Sequence, residues 1–296
     1  MENRLTASVN SMASTTADGV VLRPMTAADL EAAHALSLRV HWPHRLADWQ
    51  FNFDFGSGLV AERDGELVAT AQSWRWGAQH ATIGLVIVDP RCQGRRIGFR
   101  LMETLLAELD DRSVLLHATP EGRGLYERLG FVRAGEVRQH QGTALPAPLV
   151  ALDEGWRLRP ADHNDTEPLA ALDAQARGMP RTAMVTVLLS HADTVVLDHD
   201  GSARGFAMLR RFGRGLAIGP VVAPDADSAK ALIAHLVGLS AGKFVRIDVD
   251  FDSGLTEWLE SLGLLRVDAP TVMVRGAAPT SPADVRLFAL VNQALG

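Results

Sequence analysis

The chain has 296 residues, 47% of them hydrophobic, and a formal net charge of −6 at pH 7, which suits a protein of two domains with buried cores. The acidic balance and the lack of a basic segment exclude nucleic acid as a bulk partner, and no apolar run reaches the roughly 18 residues that a membrane-spanning helix needs. Because Cys92 is the only cysteine and no signal peptide is recognisable, we expect no disulfide, no thiolate metal site and a cytoplasmic location.

The chain begins with a predicted tail, a strand and a helix. Residues 1–19 are rich in Ser, Thr, Ala and Asn without periodicity, which predicts a flexible tail. Residues 20–24 (VVLRP) predict a short strand, and Thr26 is the predicted N-cap of the helix that follows. The apolar residues of this helix recur at helical spacing, at Leu30, Ala33, Leu36 and Val40.

A loop with aromatic and basic side chains follows, from His41 to Trp49, and Pro43 interrupts any helix within it. His41 and His44 have no third ligand at a suitable spacing, so we predict no metal site. The aromatic side chains either pack beneath the loop or contact a substrate, and both interpretations remain open at this point. After the loop, Asp64-Gly65 predicts a tight hairpin turn between two strands.

The most informative stretch is a strand, a basic turn and a helix. The apolar run Leu85 to Val88 ends at Asp89-Pro90, and helical spacing of Leu residues resumes from Ile97. The first amides of a helix have no internal partner and can donate to an anion, and the guanidinium groups of Arg95 and Arg96 match phosphate oxygens. The turn therefore predicts a pyrophosphate site, although neither the Gly-x-x-x-x-Gly-Lys-Ser/Thr nor the Gly-x-Gly-x-x-Gly pattern is present.

A second motif follows about 30 residues later. Residues 116–131 read LHATPEGRGLYERLGF, and within them Tyr126 is the only tyrosine of the chain. A strand end leads into a helix that carries this tyrosine and closes on Leu-Gly-Phe. Without further context, Tyr126 is either a half-buried aromatic residue on a helix face or a functional phenol.

Together the two motifs resemble the GNAT acetyltransferase superfamily, in which Gln/Arg-x-x-Gly-x-Gly/Ala follows the strand that holds pantetheine. Here Arg96 replaces the first family Gly, and an arginine is tolerated at this position if its φ is negative. Thr119 stands where the family usually has Asn. The resemblance implies acetyl-CoA as cosubstrate and Tyr126 as general acid. It implies a CoA site formed by Val86, Ile87, Val88, Gln93, Gly94, Arg95, Arg96, Ile97, Gly98, Phe99 and Thr119.

The resemblance leaves the general base and the acceptor undetermined. Members often carry Glu or His on the strand before the pantetheine run, but Thr82 and Gly84 stand there. His117 and His44 are candidate bases, and an ordered water chain is a third candidate. The loop after the first helix forms one wall of the acceptor pocket in the family, which makes Trp42 and Trp49 candidate substrate contacts.

The second half of the sequence repeats the first after a break at residues 145–148 (LPAP). Leu158-Arg159-Pro160 repeats Leu22-Arg23-Pro24 after 136 residues, and three further landmarks follow in order, which predicts a duplicated domain. The copy is acidic at residues 225–228 and has Leu259 at the position of Tyr126, so we expect no phosphate site there. Asp248, Asp250 and Asp252 alternate on a predicted strand; Asp248 and Asp250 are candidate ligands of a cationic amine, or all three form a solvated edge.

The predicted fold class is α/β (α+β), with tandem GNAT folds and a mixed, mostly antiparallel sheet flanked by helices in each half. The predicted divisions are a tail at 1–19, a catalytic domain at 20–146, a degenerate copy at 147–278, and a linker with a short amphipathic helix at 279–296. The predicted function is acetyl transfer from acetyl-CoA to a primary amine of a small molecule. The alternatives are a weakly catalytic acyl-CoA sensor or scaffold, and a nucleotide-binding protein. A monomer with a pseudo-dimeric arrangement is expected.

Overall fold

The structure is a computed structural model that describes residues 14–15, 19–282 and 284–296. The predicted tail at 1–19 therefore lies largely outside the described residues. The chain divides into two compact units: Met1–Trp74 with Ile83–Asp110, and Arg75–Thr82 with Asp111–Gly296. We describe each unit separately.

The first unit is a sheet with three helices, in the strand order β1-β2-β3-β4-β5. Strands β1 to β4 pair antiparallel with their neighbours. A single 3₁₀ turn capped by Thr26 precedes the first helix. The elements are β1 Ser14–Thr15, β2 Val20–Pro24, α1 Leu30–Arg39, α2 Leu46–Asp54, β3 Ser57–Arg63, β4 Glu66–Trp76, β5 His80–Val88 and α3 Ile97–Glu108, of which β4 and β5 extend into the second unit.

Two local features of the first unit follow from the sequence. Asp64 and Gly65 both have positive φ, at 53° and 78°, and form the predicted two-residue turn between β3 and β4. The helix α3 buries one apolar stripe, formed by Ile97, Leu101, Met102, Leu105 and Leu106. Both predictions are confirmed.

The second unit contains the end of β4, the start of β5 and all elements after α3. Its strand order is β5-β6-β14-β7-β12-β15-β11-β10-β9-β8, with β13 beside β7. A core of buried aliphatic residues lies under α7 and α8. The elements are β6 Ser113–Ala118, α4 Arg123–Arg128, β7 Val132–Thr143, β8 Trp156–Pro160, α5 Thr166–Arg177, α6 Thr182–His191, β9 Asp193–His199, β10 Ser202–Phe212, β11 Gly215–Ala223, α7 Ala226–Leu239, β12 Phe244–Asp250, α8 Thr256–Ser261, β13 Leu265–Asp268, β14 Thr271–Arg275 and β15 Arg286–Ala289.

Strands are exchanged between the two sequence repeats within the second unit. β7 is one continuous strand from Val132 to Thr143. Its first part pairs with β14, and its second part pairs with β12 and β13. Conversely, β14 lies between β6 and β7. The segment lacks the Asn, Asp or Pro residues that would turn the chain back, so it continues into the other repeat.

The chain from residue 281 to 296 differs from the prediction. Instead of an amphipathic helix, Arg286–Ala289 forms strand β15, which pairs with β11 and β12. Phe288 and Ala289 are buried by this pairing. The unpaired edges of β11 and β12 supply backbone partners there, so tertiary hydrogen bonding decides the conformation of this short segment.

The duplication is also visible in one ion-pair network. Arg23 donates to Asp29 at 2.7 and 2.8 Å and to Glu62 at 3.0 Å. Arg159 donates to Asp165 at 2.7 and 2.8 Å and to Asp198 at 3.0 Å. Each residue of the second network lies 136 positions after its counterpart in the first. The repeats therefore preserve the contact that fixes the opening strand to the first helix.

Candidate active site

The basic turn begins at a fixed point, the carboxylate of Asp89. This side chain is 1% exposed and accepts hydrogen bonds from the Arg91 amide at 2.9 Å, from Arg91 Nε at 3.0 Å, and from Arg39 at 2.6 Å. The Arg91 guanidinium is the main cause that holds the pKa of Asp89 far below its usual range. Sequence reasoning missed this role of Asp89. Arg91 is engaged locally, so the free cationic groups of the turn are Arg95 and Arg96.

The turn ends in an open helix N-terminus. The amide of Arg100 makes the first backbone hydrogen bond of α3, to the Arg96 carbonyl at 3.1 Å, so earlier amides of the helix have no partner within it. Gly94 has a φ of 78°, and no heavy atom lies within 4 Å of the position that a Cβ would take. Arg95 and Arg96 are exposed. These groups form an accessible cationic cradle for an anion.

Arg96 does not have the negative φ at which an arginine is easily tolerated. Its φ is 59° and its ψ is 15°, in the left-handed region that favours glycine. The arginine therefore adopts a conformation that a glycine takes without strain, at a cost of about 1 kcal/mol. The Arg96 guanidinium lies 4.9 Å from the centre of the Phe99 ring, and this cation–π contact offsets part of the strain.

Strand β5 is irregular just before the proposed pantetheine run. Leu85 has a φ of 52°, which is rare for a branched residue within a strand. The Thr70 hydroxyl donates to the Leu85 carbonyl at 2.8 Å and holds this conformation. After the irregularity, Ile87 is buried, and Val86 and Val88 are half-buried on the opposite face. No sequence signal indicated the irregularity.

Tyr126 lies in α4, and its ring is closely packed. The residue is 7% exposed, and its ring packs edge-on against Phe131 with centroids 6.0 Å apart. A Cβ on Gly122 would lie 3.1 Å from Tyr126 Cε2, so this glycine leaves room for the ring. Burial raises the pKa of the phenol. Tyr126 is thus protonated at pH 7 but is a weaker acid than an ordinary tyrosine.

Thr119 has a local structural role between β6 and α4. Its hydroxyl accepts from the Gly122 amide at 3.3 Å, and its carbonyl accepts from the amides of Gly122 and Arg123. The cofactor contact predicted for Thr119 stays a prediction. The observed bonds set the turn that leads to Tyr126.

His117 on β6 is held by a single hydrogen bond. Its Nδ1 donates to the Gln293 carbonyl at 2.7 Å, which leaves Nε2 as the acceptor nitrogen. Burial, followed by the positive charge of Arg177, lowers the pKa of His117 to about 4. His117 is therefore neutral at pH 7 but is a weaker base than an ordinary histidine.

Trp49 of the aromatic loop does not have the predicted contact with a substrate. Trp49 is 0% exposed, and its indole N–H donates to Ser37 at 3.2 Å, so it is a core residue and cannot contact a substrate. Trp42 and His44 are half-buried, with ring centroids 5.8 Å apart. The predicted roles of Trp42 in substrate binding and of His44 as a base stay predictions.

The predicted acidic face on β12 is also corrected. Asp248 is 4% exposed and is paired with Arg246 at 2.8 Å, so its charge is already neutralised. Strand β12 ends at Asp250, and Asp252 lies in the 3₁₀ turn that follows. The three carboxylates therefore do not form a common cation site, and Asp250 alone stays a candidate.

The second repeat lacks the groups of the first. Asp225 caps α7 by accepting from the Ser228 amide at 2.8 Å, where the first repeat has the exposed arginines. Leu259 in α8 is 0% exposed and packs in the core. Among the described residues, no group of three or more His, Cys, Asp and Glu side chains could hold a metal ion. None of the helices in the described ranges is long and apolar enough to cross a membrane.

Family models match both repeats. A model described as Acetyltransferase (GNAT) family matches residues 27–131, and one described as Acetyltransferase (GNAT) domain matches residues 169–289. An uncharacterized N-acetyltransferase of Bacillus subtilis (strain 168), YitH, is 31% identical over 221 residues, which are 73% of this chain and 76% of that protein. A holothin acyltransferase of Pseudoalteromonas sp. (strain SANK 73390) is 24% identical over 263 residues, 87% and 88% of the two chains.

Solved structures share the fold over nearly the whole chain. A putative acetyltransferase from Pyrococcus horikoshii superposes with a TM-score of 0.78 at 20% identity, covering 96% of this chain and 98% of the other. A tandem GNAT protein from the clavulanic acid biosynthesis pathway superposes with a TM-score of 0.63 at 16% identity, covering 88% and 100%. These neighbours confirm the predicted fold class.

Proposed function

The chain belongs to the GNAT acetyltransferase family and is an acyltransferase, and from this premise we propose that it transfers an acetyl group from acetyl-CoA to a primary amine of a small molecule. The observation that carries the proposal is the open N-terminus of α3, where unpartnered amides stand beside two exposed arginines. This donor set fits a diphosphate.

The proposed CoA site consists of two parts of the first unit. Arg95, Arg96 and the amides from Gly94 to Phe99 would hold the diphosphate, with Gln93 at the start of the turn. Backbone groups of Val86 to Val88 would hold the pantetheine arm, since the pairing of β5 with β6 extends only from His80 to Thr82. The bound thioester supplies an activated acetyl group, and a strand N–H that donates to its carbonyl contributes roughly 3 kcal/mol to the transfer step.

Proton transfer needs a general acid and a general base. We assign the general acid to Tyr126 from its place in the second motif, and substrate binding must offset the raised pKa of its phenol. The base must lower the cost of deprotonating the acceptor, since an amine with a pKa of about 10.4 is neutral in fewer than roughly one molecule in a thousand at pH 7. His117 accepts this proton weakly in its present environment, so we assign the step to His117 acting with ordered water, or to His44.

The remaining expectations are part of the same proposal. The catalytic domain would comprise residues 20–146 and the degenerate copy residues 147–278, and the protein would act as a cytoplasmic monomer. A catalytically weak acyl-CoA sensor is the second candidate, favoured by Thr82, whose hydroxyl accepts from Trp76 Nε1 at 3.0 Å where many relatives carry a basic or acidic side chain. A binding site for ATP or NAD is a third possibility that the same cationic turn allows.

The first test is Tyr126→Phe. Release of CoA thiol from acetyl-CoA in a panel of small amines should fall about 100-fold or more in kcat, because general acid catalysis contributes roughly 10²–10⁴-fold. The KM for acetyl-CoA and the melting temperature should stay near those of the wild type. Full activity of the variant would exclude Tyr126 as the acid. Thermal stabilisation by ATP or NAD, with none by CoA compounds, would overturn the proposed function itself.

A further inference from the structure

One arginine in the second unit has buried donors without acceptors. Arg177 ends helix α5, and its Nε and Nη2 are buried and have no hydrogen-bond partner in the described part of the chain. Arg181 lies four residues later, just before α6. It is fully buried but is paired with Asp173 at 2.7 and 2.9 Å. An unpartnered buried guanidinium is costly, so its presence points to a ligand.

Two contacts position the end of α5 and this guanidinium. Gly296 packs directly on it, because a Cβ there would lie 2.6 Å from Arg177 Nη2. The loop after α5 packs on the turn between β4 and β5, where a Cβ on Gly77 would lie 2.9 Å from Pro180 Cγ. This second contact brings the end of α5 beside the start of β5, where His80 lies with its Nδ1 buried and without a partner.

The charges around Arg177 favour a singly charged anion. His80 and His117 both have a lowered pKa, from burial first and from the charge of Arg177 second, so both rings are neutral at pH 7. Asp250 is the acidic group nearby, together with the already paired Asp173, and both interact favourably with Arg177. A dianionic phosphate would be repelled by the Asp250 charge and would have only the Arg177 guanidinium to balance its two charges. A carboxylate needs only one cation, and its two oxygens match the paired N–H donors of a guanidinium.

We propose that Arg177 and His80 bind the carboxylate of the acceptor, so that the substrates are amines that also carry a carboxylate, such as amino acids. The inference rests on the proposed function for the identity of the acceptor. His117 links this site to the chemistry, because its strand β6 leads through Thr119 to the helix of Tyr126. Neutralisation of Arg177 by a bound carboxylate would also make His117 a stronger base when the acceptor is present.

The kinetic test compares each amino acid with its primary amide, for example L-methionine with L-methioninamide. Amides have the less basic amine and react more readily without recognition, so a preference for the acid requires binding of the carboxylate. We expect kcat/KM for the acid to exceed that for the amide at least 10-fold in the wild type. In Arg177→Met this ratio should fall to one or below, and exposed Arg214→Met should keep the ratio of the wild type.

A binding test without turnover separates this inference from the proposed function. Propionate, but not propionamide, should shift the ring-proton resonances of His80 and His117 in the wild type and should leave those of Arg177→Met unchanged. Amine acetylation with no acid preference and no propionate shift would overturn the carboxylate site while the enzyme assignment stands. Propionate binding without any acetylation would support the site and contradict the acetyltransferase proposal.

Stability distinguishes a ligand-binding arginine from a structural one. Because Nε and Nη2 of Arg177 have no hydrogen-bond partner among the described residues, Arg177→Met should leave the melting temperature unchanged or raise it. Arg181→Met should lower it, since it leaves Asp173 buried without a partner. A loss of stability in Arg177→Met equal to that in Arg181→Met would assign Arg177 a structural role and overturn the inference.

Discussion

At the scale of single residues, strained or unpartnered groups occur in the segments to which we assign function. Leu85 and Arg96 have positive φ at the two ends of the proposed CoA site, and each has a specific compensating contact, from Thr70 and Phe99. Arg177 has buried donors without partners. Such features cost roughly 1–3 kcal/mol each and persist where a surrounding structure enforces them.

His117 gives a pH dependence of stability with a definite sign. Its pKa is about 4 in the folded protein and 6.5 when unperturbed, mainly because burial disfavours the charged ring. The unfolded chain therefore binds a proton that the folded chain does not as the pH falls from 6.5 toward 4. Stability present above pH 6.5 should be lost in this window, by about 3 kcal/mol in full.

The measurement is the urea midpoint between pH 7 and pH 4.5 for the wild type and His117→Asn. Asparagine keeps an N–H donor for the Gln293 carbonyl but does not titrate, so the variant should lose less stability on acidification. Equal pH dependence of the two proteins would show that His117 titrates normally in the folded state.

The residue scale also shows where sequence reasoning stopped. The turn from Gln93 to Gly98 and the position of Tyr126 were predicted because both depend on local order along the chain. Trp49 was misassigned, since a loop sequence does not reveal which tryptophan is buried. Arg177 was not predicted at all, because the lack of a partner is a property of packing between α5, β5 and the C-terminal residues.

At the scale of elements, the exchanged strands are the main departure from two independent repeats. β14 fills the gap between β6 and β7, and the second part of β7 fills the gap between β12 and β13. The sequence could not reveal this, because the same strands show the same alternation whether they pair within one repeat or with the other. The missing turn in β7 is the one local indication.

The exchange predicts that the two sequence halves depend on each other. Residues 1–146 alone would have β6 and β7 edges without the strand that separates them, and exposed edges favour aggregation. We expect residues 1–146 and 147–296 to be insoluble or unfolded when expressed separately, and to form a soluble, active complex when co-expressed. A cooperatively melting, CoA-binding fragment of residues 1–146 would contradict this dependence.

At the scale of the whole molecule, the two repeats share structural contacts but carry different candidate functional side chains. The Arg23 and Arg159 networks are equivalent down to their hydrogen bonds, whereas the basic turn and the tyrosine occur in the first repeat alone. In their places the second repeat has an acidic helix cap at Asp225 and the buried Leu259. The second repeat instead supplies β14 and, by our inference, the acceptor-binding Arg177.

The central claim, one acyl-CoA site at the turn from Gln93 to Phe99, is tested most directly by calorimetric titration of CoA into the intact protein. We expect one site per chain. The double variant Arg95→Ala/Arg96→Ala should weaken binding about 10-fold or more, because charge-assisted bonds to phosphate contribute roughly 1.5–3 kcal/mol. Asp225→Ser in the second repeat should bind as the wild type does. Two sites per chain, no binding, or unchanged affinity in the double variant would contradict the account.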